Sequence, residues 1–171
     1  HLQVVHHNHD PAWINRQFIN AAWLPDNQSL FFLSEQDGYG HLYLFDGEKE
    51  DSQQLTQGKF EIREPTLTRD GEQIYFRSNI DHPTIYNIYR LNIDNKGIEQ
   101  MSSLGGMSQY QLSPDESRLL IVHSKATQPD ELFISRTRSN SEATRITHTI
   151  SDEFNNIAWV EPEFVEVPSS N

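Results

Sequence analysis

Three turn-like segments recur along this chain at nearly constant spacing: Leu24-Pro25-Asp26-Asn27, Thr68-Arg69-Asp70-Gly71 and Ser113-Pro114-Asp115-Glu116. Their aspartates stand 44 and 45 residues apart. A large apolar residue precedes each turn (Trp23, Leu67, Leu112), and an apolar strand follows it: Leu30–Leu33, Ile74–Phe76 and Leu119–Val122. A second strand comes next in every unit, His41–Phe45, Asn87–Ile93 and Glu131–Ser135, with the two-residue alternation of a half-buried ribbon. A third closes each unit, from Gln54-Leu55-Thr56, Ile98–Met101 and Ala143–Thr147, ending on or beside Thr or Ser. Asp37-Gly38, Asp46-Gly47, Asp70-Gly71 and Asn95-Lys96-Gly97 supply residues that tolerate the positive φ of tight hairpins.

Self-similarity at this period, with about four short antiparallel strands per repeat, is the signature of a β-propeller blade, which buries both faces only between neighbours. The expected fold is all-β, a partial propeller of about three four-stranded blades. The units span residues 21–64, 65–109 and 110–157. Residues 1–20 read as the end of a preceding blade and a loop, with a strand at Leu2–Val5, and 158–171 as a strand leaving the last blade. Trp159 lies 47 residues after Leu112, where a fourth unit would begin. A β-sandwich with coincidentally spaced hairpins is the competing architecture, and the recurrence of several positions per unit speaks against it.

Composition narrows the function classes. The 25 acidic against 13 basic residues give a net charge of −12, which repels a phosphate backbone, so nucleic acid is not an expected partner. No apolar run reaches the roughly 18 residues needed to cross a bilayer, and no membrane role is expected. The absence of cysteine removes disulfides and thiolate sites and leaves periplasm and cytoplasm equally open. No cofactor motif is present.

The segment Leu33-Ser34-Glu35-Gln36-Asp37-Gly38-Tyr39-Gly40-His41-Leu42-Tyr43-Leu44 resembles the propeller of the dipeptidyl peptidase IV branch of the prolyl oligopeptidase family of serine peptidases. The resemblance continues through Leu55–Ile62, Tyr86–Arg90, Leu112–Asp115 and Ser124 with Pro129–Phe133. It implies one part of a ring of seven or eight blades. Trp159–Ser170 resembles the strand that leads from that propeller into an α/β-hydrolase domain. The parent implied is an enzyme removing short peptides from substrate N-termini, with the propeller gating access and walling the cavity. The partners implied are the parent's own hydrolase domain and its peptide substrate. The rival reading is a propeller that serves as a protein-interaction module, with no peptidase.

Catalysis by the chain itself is not expected. A hydrolase of this class needs Gly-x-Ser-x-Gly on a strand-to-helix turn. The nearest match, Gly106-Met107-Ser108-Gln109-Tyr110, lacks the last glycine and lies at a blade boundary. The family's adjacent glutamates, which hold the substrate amine, have no counterpart, since the chain contains no Glu-Glu pair. The loop Trp13-Ile14-Asn15-Arg16-Gln17-Phe18 resembles one that points an arginine and an aromatic residue at the cavity. Arg16 would bond a substrate carbonyl and Phe18 would cover an apolar side chain; alternatively Trp13 and Phe18 pack the loop between blades. His7 and His9, near His6 and Asp10, are weak metal candidates, lacking a second cluster to complete a ligand set, so no metal site is expected. Asn92–Gly97 reads as a hairpin turn rather than a calcium loop, because Lys96 stands at a ligand position. Asn27-Gln28-Ser29 fits the N-glycosylation pattern. Blades with uncovered faces are expected to self-associate, most simply as a symmetric dimer.

Overall fold

A computed structural model describes residues 4–168. The first unit is an antiparallel sheet in chain order: β1 (Ala21–Trp23), β2 (Leu30–Ser34), β3 (His41–Asp46) and β4 (Asp51–Gln54). The second holds β5 (Ile62–Leu67), β6 (Gln73–His82), β7 (Ile85–Asn92) and β8 (Ile98–Gln100); the third holds β9 (Met107–Leu112), β10 (Arg118–Lys125), β11 (Gln128–Arg136) and β12 (Thr144–Arg145). One parallel pair, Tyr86 with Met107, stitches the second unit to the third. These are β-propeller blades in an open rather than closed array.

The repeated turns share one chemistry. Asp26, Asp70 and Asp115 each accept the backbone N–H two residues on, from Gln28, Glu72 and Ser117. Leu24, Thr68 and Ser113 donate their amides across the turn to Ser29, Gln73 and Arg118 carbonyls. The left-handed position falls on Asn27, Gly71 and Glu116, at φ 57°, 76° and 57°. Gly38 takes it as expected, at φ 97°, and Lys96 takes it within Asn95-Lys96-Gly97, at φ 56°; only after Asp46-Gly47 does it fall outside the expected pair, on Glu50. Gly47 answers a different need, because a Cβ there would stand 2.3 Å from the Gln28 carbonyl oxygen.

The outer strands end earlier than the sequence suggests, for a reason common to all three blades. Thr56, Ser102 and Thr147 hydroxyls accept the amides of Leu42, Ile88 and Leu132, at 3.0, 2.9 and 2.8 Å. A side-chain oxygen thus replaces a ladder carbonyl, and the backbone is released toward the next inner strand.

Alternation along the second strand divides the core. Phe32, Phe76 and Ile121 face the preceding blade; Phe31, Tyr75 and Leu120 face the following one. Between blades 1 and 2, Phe31, Leu42 and Leu44 meet Ile74, Phe76 and Leu91. Between blades 2 and 3, Tyr75 and Ile88 meet Leu119 and Ile121. Tyr110 ties the second junction, its hydroxyl 2.7 Å from the Glu64 carbonyl and 2.8 Å from that of Tyr75. Burial pushes the Tyr110 pKa up.

Blade 3 carries a buried carboxylate. Glu131, 1% exposed, accepts from Arg145 at 2.6 Å, from the Thr149 amide at 2.8 Å, and from the Thr147 and Thr149 hydroxyls. Burial pushes its pKa up, but the bonds from Thr147, Arg145 and Thr149 outweigh that and hold it at about 2. Asp115 is likewise held at about 2, first by the Ser113 hydroxyl and then by Ser117. Depressed folded-state values mean stability that is complete above the ordinary carboxylate range and lost as pH falls through it toward 2. Stability is therefore expected to decline from about pH 5 to pH 2. Glu131→Gln should flatten that decline in urea titrations at stepped pH; an unchanged slope would contradict the role given to Glu131.

Both ends differ from expectation. Val4 and Val5 form no strand, and Leu2 and Gln3 lie outside the described residues. Residues 158–168 join no ladder, and 169–171 lie outside the description. A single helical turn, Asp152–Asn155, forms where no helix was foreseen; Ser151 caps it by accepting the Phe154 amide, and Asp152 and Glu153 favour its first turn. No helix is long and apolar enough to cross a membrane among the described residues.

Candidate functional site

The loop before β1 is organised by its own polar side chains. Asp10 accepts the amides of Ala12 and Trp13 at 2.7 and 2.9 Å, turning the chain. Asn15 caps a short 3-10 turn, Arg16–Phe18, by accepting the Gln17 amide, and donates its own amide to Glu35 at 3.3 Å. The turn drives Phe18 into the blade 1–2 core at 2% exposure, against Gly40. Glycine at position 40 leaves room for that ring, since a Cβ would stand 2.1 Å from it.

A cleft of about 420 Å³ results, with Phe18 in its lining beside Trp13, Ile14 and Glu35, and with His7 and His9. Trp13 is 75% exposed, and Arg16 is exposed and enters no ion pair among the described residues. The structure thus brings Trp13 and Phe18 together around one cleft, Arg16 on the same turn, but buries Phe18 as structure. Arg16 and Trp13 are the solvent-facing members, able to donate a charged hydrogen bond and to cover an apolar group.

The His7 and His9 rings lie 6.2 Å apart. His6 turns away onto Phe32, 4.5 Å between centroids, and bonds Asn8. No group of three His, Cys, Asp or Glu placed to hold a metal ion occurs among the described residues.

One arrangement escaped the sequence reading. Ser108 Oγ lies 3.0 Å from His123 Nδ1, the two being 0% and 1% exposed. The cross-strand register pairs them directly, a fact visible only once β9 and β10 are aligned. Burial, then Lys125, lowers the His123 pKa. Among the described residues His123 Nε2 has no hydrogen-bond partner, so no carboxylate there orients the imidazole as in a catalytic triad, and the Ser108 hydroxyl is buried. Blade 1 has a counterpart in His41, which bonds Thr56 at 3.1 Å and the Gly58 carbonyl at 3.0 Å. Both imidazoles pack and brace the blades.

Residues 1–130 match the family described as the dipeptidyl peptidase IV (DPP IV) N-terminal region. The chain belongs to that family. Three solved structures share its fold. TolB from Acinetobacter baumannii superposes with a TM-score of 0.58 at 22% identity, covering 79% of this chain and 34% of TolB. Dipeptidyl peptidase 4 from Porphyromonas gingivalis gives 0.56 at 19% identity, over 64% of this chain and 15% of that one. A putative TolB from Agrobacterium tumefaciens gives 0.56 at 22%, over 71% and 46%. At these identities the likeness establishes the propeller fold. This DPP IV N-terminal chain covers between 15% and 46% of those structures' lengths.

Proposed function

We infer that this chain forms part of the propeller of a dipeptidyl-peptidase-like serine exopeptidase, where it gates substrate access and walls the active-site cavity. Family membership over residues 1–130 carries this reading. The cleft beside Trp13, with Arg16 exposed on the adjoining turn, supports a surface suited to a peptide backbone and an apolar side chain. The partners are the parent's own α/β-hydrolase domain and its peptide substrate, and the chemistry belongs to that hydrolase domain. TolB shares the fold, and the second reading is a propeller that serves as an interaction module without a peptidase.

Kinetics of the intact protein separate the two. A chromogenic dipeptide amide with a free amine should be cleaved, and its N-acetylated form should not. Arg16→Ala is expected to raise KM about tenfold with kcat nearly unchanged, the pattern of lost ground-state binding. Absence of cleavage would favour the interaction module; normal cleavage with an unaltered KM would remove Arg16 from the site.

A further inference from the structure

Arg63 on β5 and Arg77 on β6 are direct cross-strand partners, a placement of like charges that weakens a sheet unless something else holds it. Tyr86 on β7 does so here: the two guanidinium carbons stand 5.0 and 5.8 Å from the centre of its buried ring. Each arginine also meets one carboxylate. Arg63 donates to Glu61 at 2.9 Å and Arg77 to Glu64 at 2.7 Å, while the Tyr86 hydroxyl donates to Glu61 at 3.1 Å. Among the described residues each guanidinium spends only Nη2 in a hydrogen bond. Nε is buried without a partner in both, and Nη1 is left uncommitted in both.

Glu64 is the displaceable member of this cluster. Among the described residues it is the one non-glycine residue inside a strand that takes the left-handed region, at φ 52°, in the irregularity between Arg63 and Thr66. Such bulges re-aim side chains beside functional sites, where backbone strain also collects. The Glu64 side chain is 56% exposed, against 11% for the arginine it pairs. Tyr110 of blade 3 bonds the Glu64 carbonyl, so the carboxylate can leave while the backbone stays fixed. Arg77 shares the face of Tyr75, toward blade 3, and β5 is the first strand of its blade. In a propeller the first strands border the central channel, which places the cluster on the wall of that channel.

We propose that Arg63 and Arg77, clamped on Tyr86, form a receptor for a carboxylate of a bound peptide, which replaces Glu64 on Arg77 and takes the uncommitted Nη1 groups. Glu64 swings to solvent, and two guanidiniums face two carboxylates before and after the exchange. This rests on the reading of these blades as the wall of a peptidase cavity: the peptide is the substrate held there, and the carboxylate is its C-terminus or an acidic side chain.

Calorimetric titration of the intact protein tests this with tripeptides that keep a free amine but carry a reduced, uncleavable bond between the second and third residues. The peptide ending in a free carboxylate should bind about fivefold more tightly than its C-terminal amide. Glu64→Gln removes the competing carboxylate and should widen that preference to about tenfold, whereas Arg77→Gln should erase it. A merely structural role for the cluster would not make Glu64→Gln strengthen binding, and this exposed position keeps the test open if Arg77→Gln fails to fold. An amidated peptide with glutamate as its third residue separates the two sources: binding like the free acid assigns the receptor to a side chain, binding like the amide to the C-terminus. Equal affinities for acid and amide, or a preference unchanged by Glu64→Gln, would overturn the proposal. Normal peptidase activity without a carboxylate preference removes this site alone; a carboxylate preference without cleavage keeps the site and counts against the peptidase.

Discussion

Phe76→Ala is expected to cost about 3–5 kcal/mol, the largest loss from any single truncation in this chain. The Phe76 ring is fully buried, lies 5.9 Å from that of Tyr89, and belongs to the cluster joining blades 1 and 2. A whole domain is typically stable by only about 5–15 kcal/mol, so the variant would leave little margin. Urea unfolding followed by tryptophan fluorescence measures it. Phe32 occupies the same position in blade 1 but packs under the terminal segment around Val5 instead of a neighbouring blade, so Phe32→Ala should cost less. Equal losses at the two positions would show that blade-to-blade packing is not what makes position 76 critical.

Gly40→Ala should destabilise by about 1–3 kcal/mol through overpacking and should also disturb the cleft. The added Cβ displaces the Phe18 ring, and the 3-10 turn that carries Phe18 also carries Arg16. In the intact protein the KM should then rise although no solvent-facing cleft residue has changed. A double-mutant cycle with Phe18→Ala isolates the cause: once the ring is removed, the added methyl should cost almost nothing. Additive effects would place the strain elsewhere.

The repeat made the blades legible because each turn is specified locally, by an aspartate accepting a nearby amide and by a residue tolerant of the left-handed region. The same locality explains why hairpin chemistry could be anticipated while its details could not. Asn95-Lys96-Gly97 turns with its positive φ on Lys96, whereas after Asp46-Gly47 the positive φ falls on Glu50, and Gly47 is instead the residue that lets the Gln28 backbone approach from another turn. Phe18 shows the limit more sharply. Whether an aromatic residue in a loop faces a ligand or a core depends on whether the opposing residue is small, and Gly40 lies 22 positions away. The Ser108–His123 pair required the strand register. The tail, 158–168, carries strand-like residues but pairs with no edge, and an isolated apolar strand has no ladder to satisfy its backbone.

Whether these blades serve a serine exopeptidase, as proposed, is read from the coding frame beyond Asn171. An α/β-hydrolase domain is expected there, with Gly-x-Ser-x-Gly followed by an aspartate and a histidine within about 250 residues. A stop codon, or a domain of another kind, would contradict it.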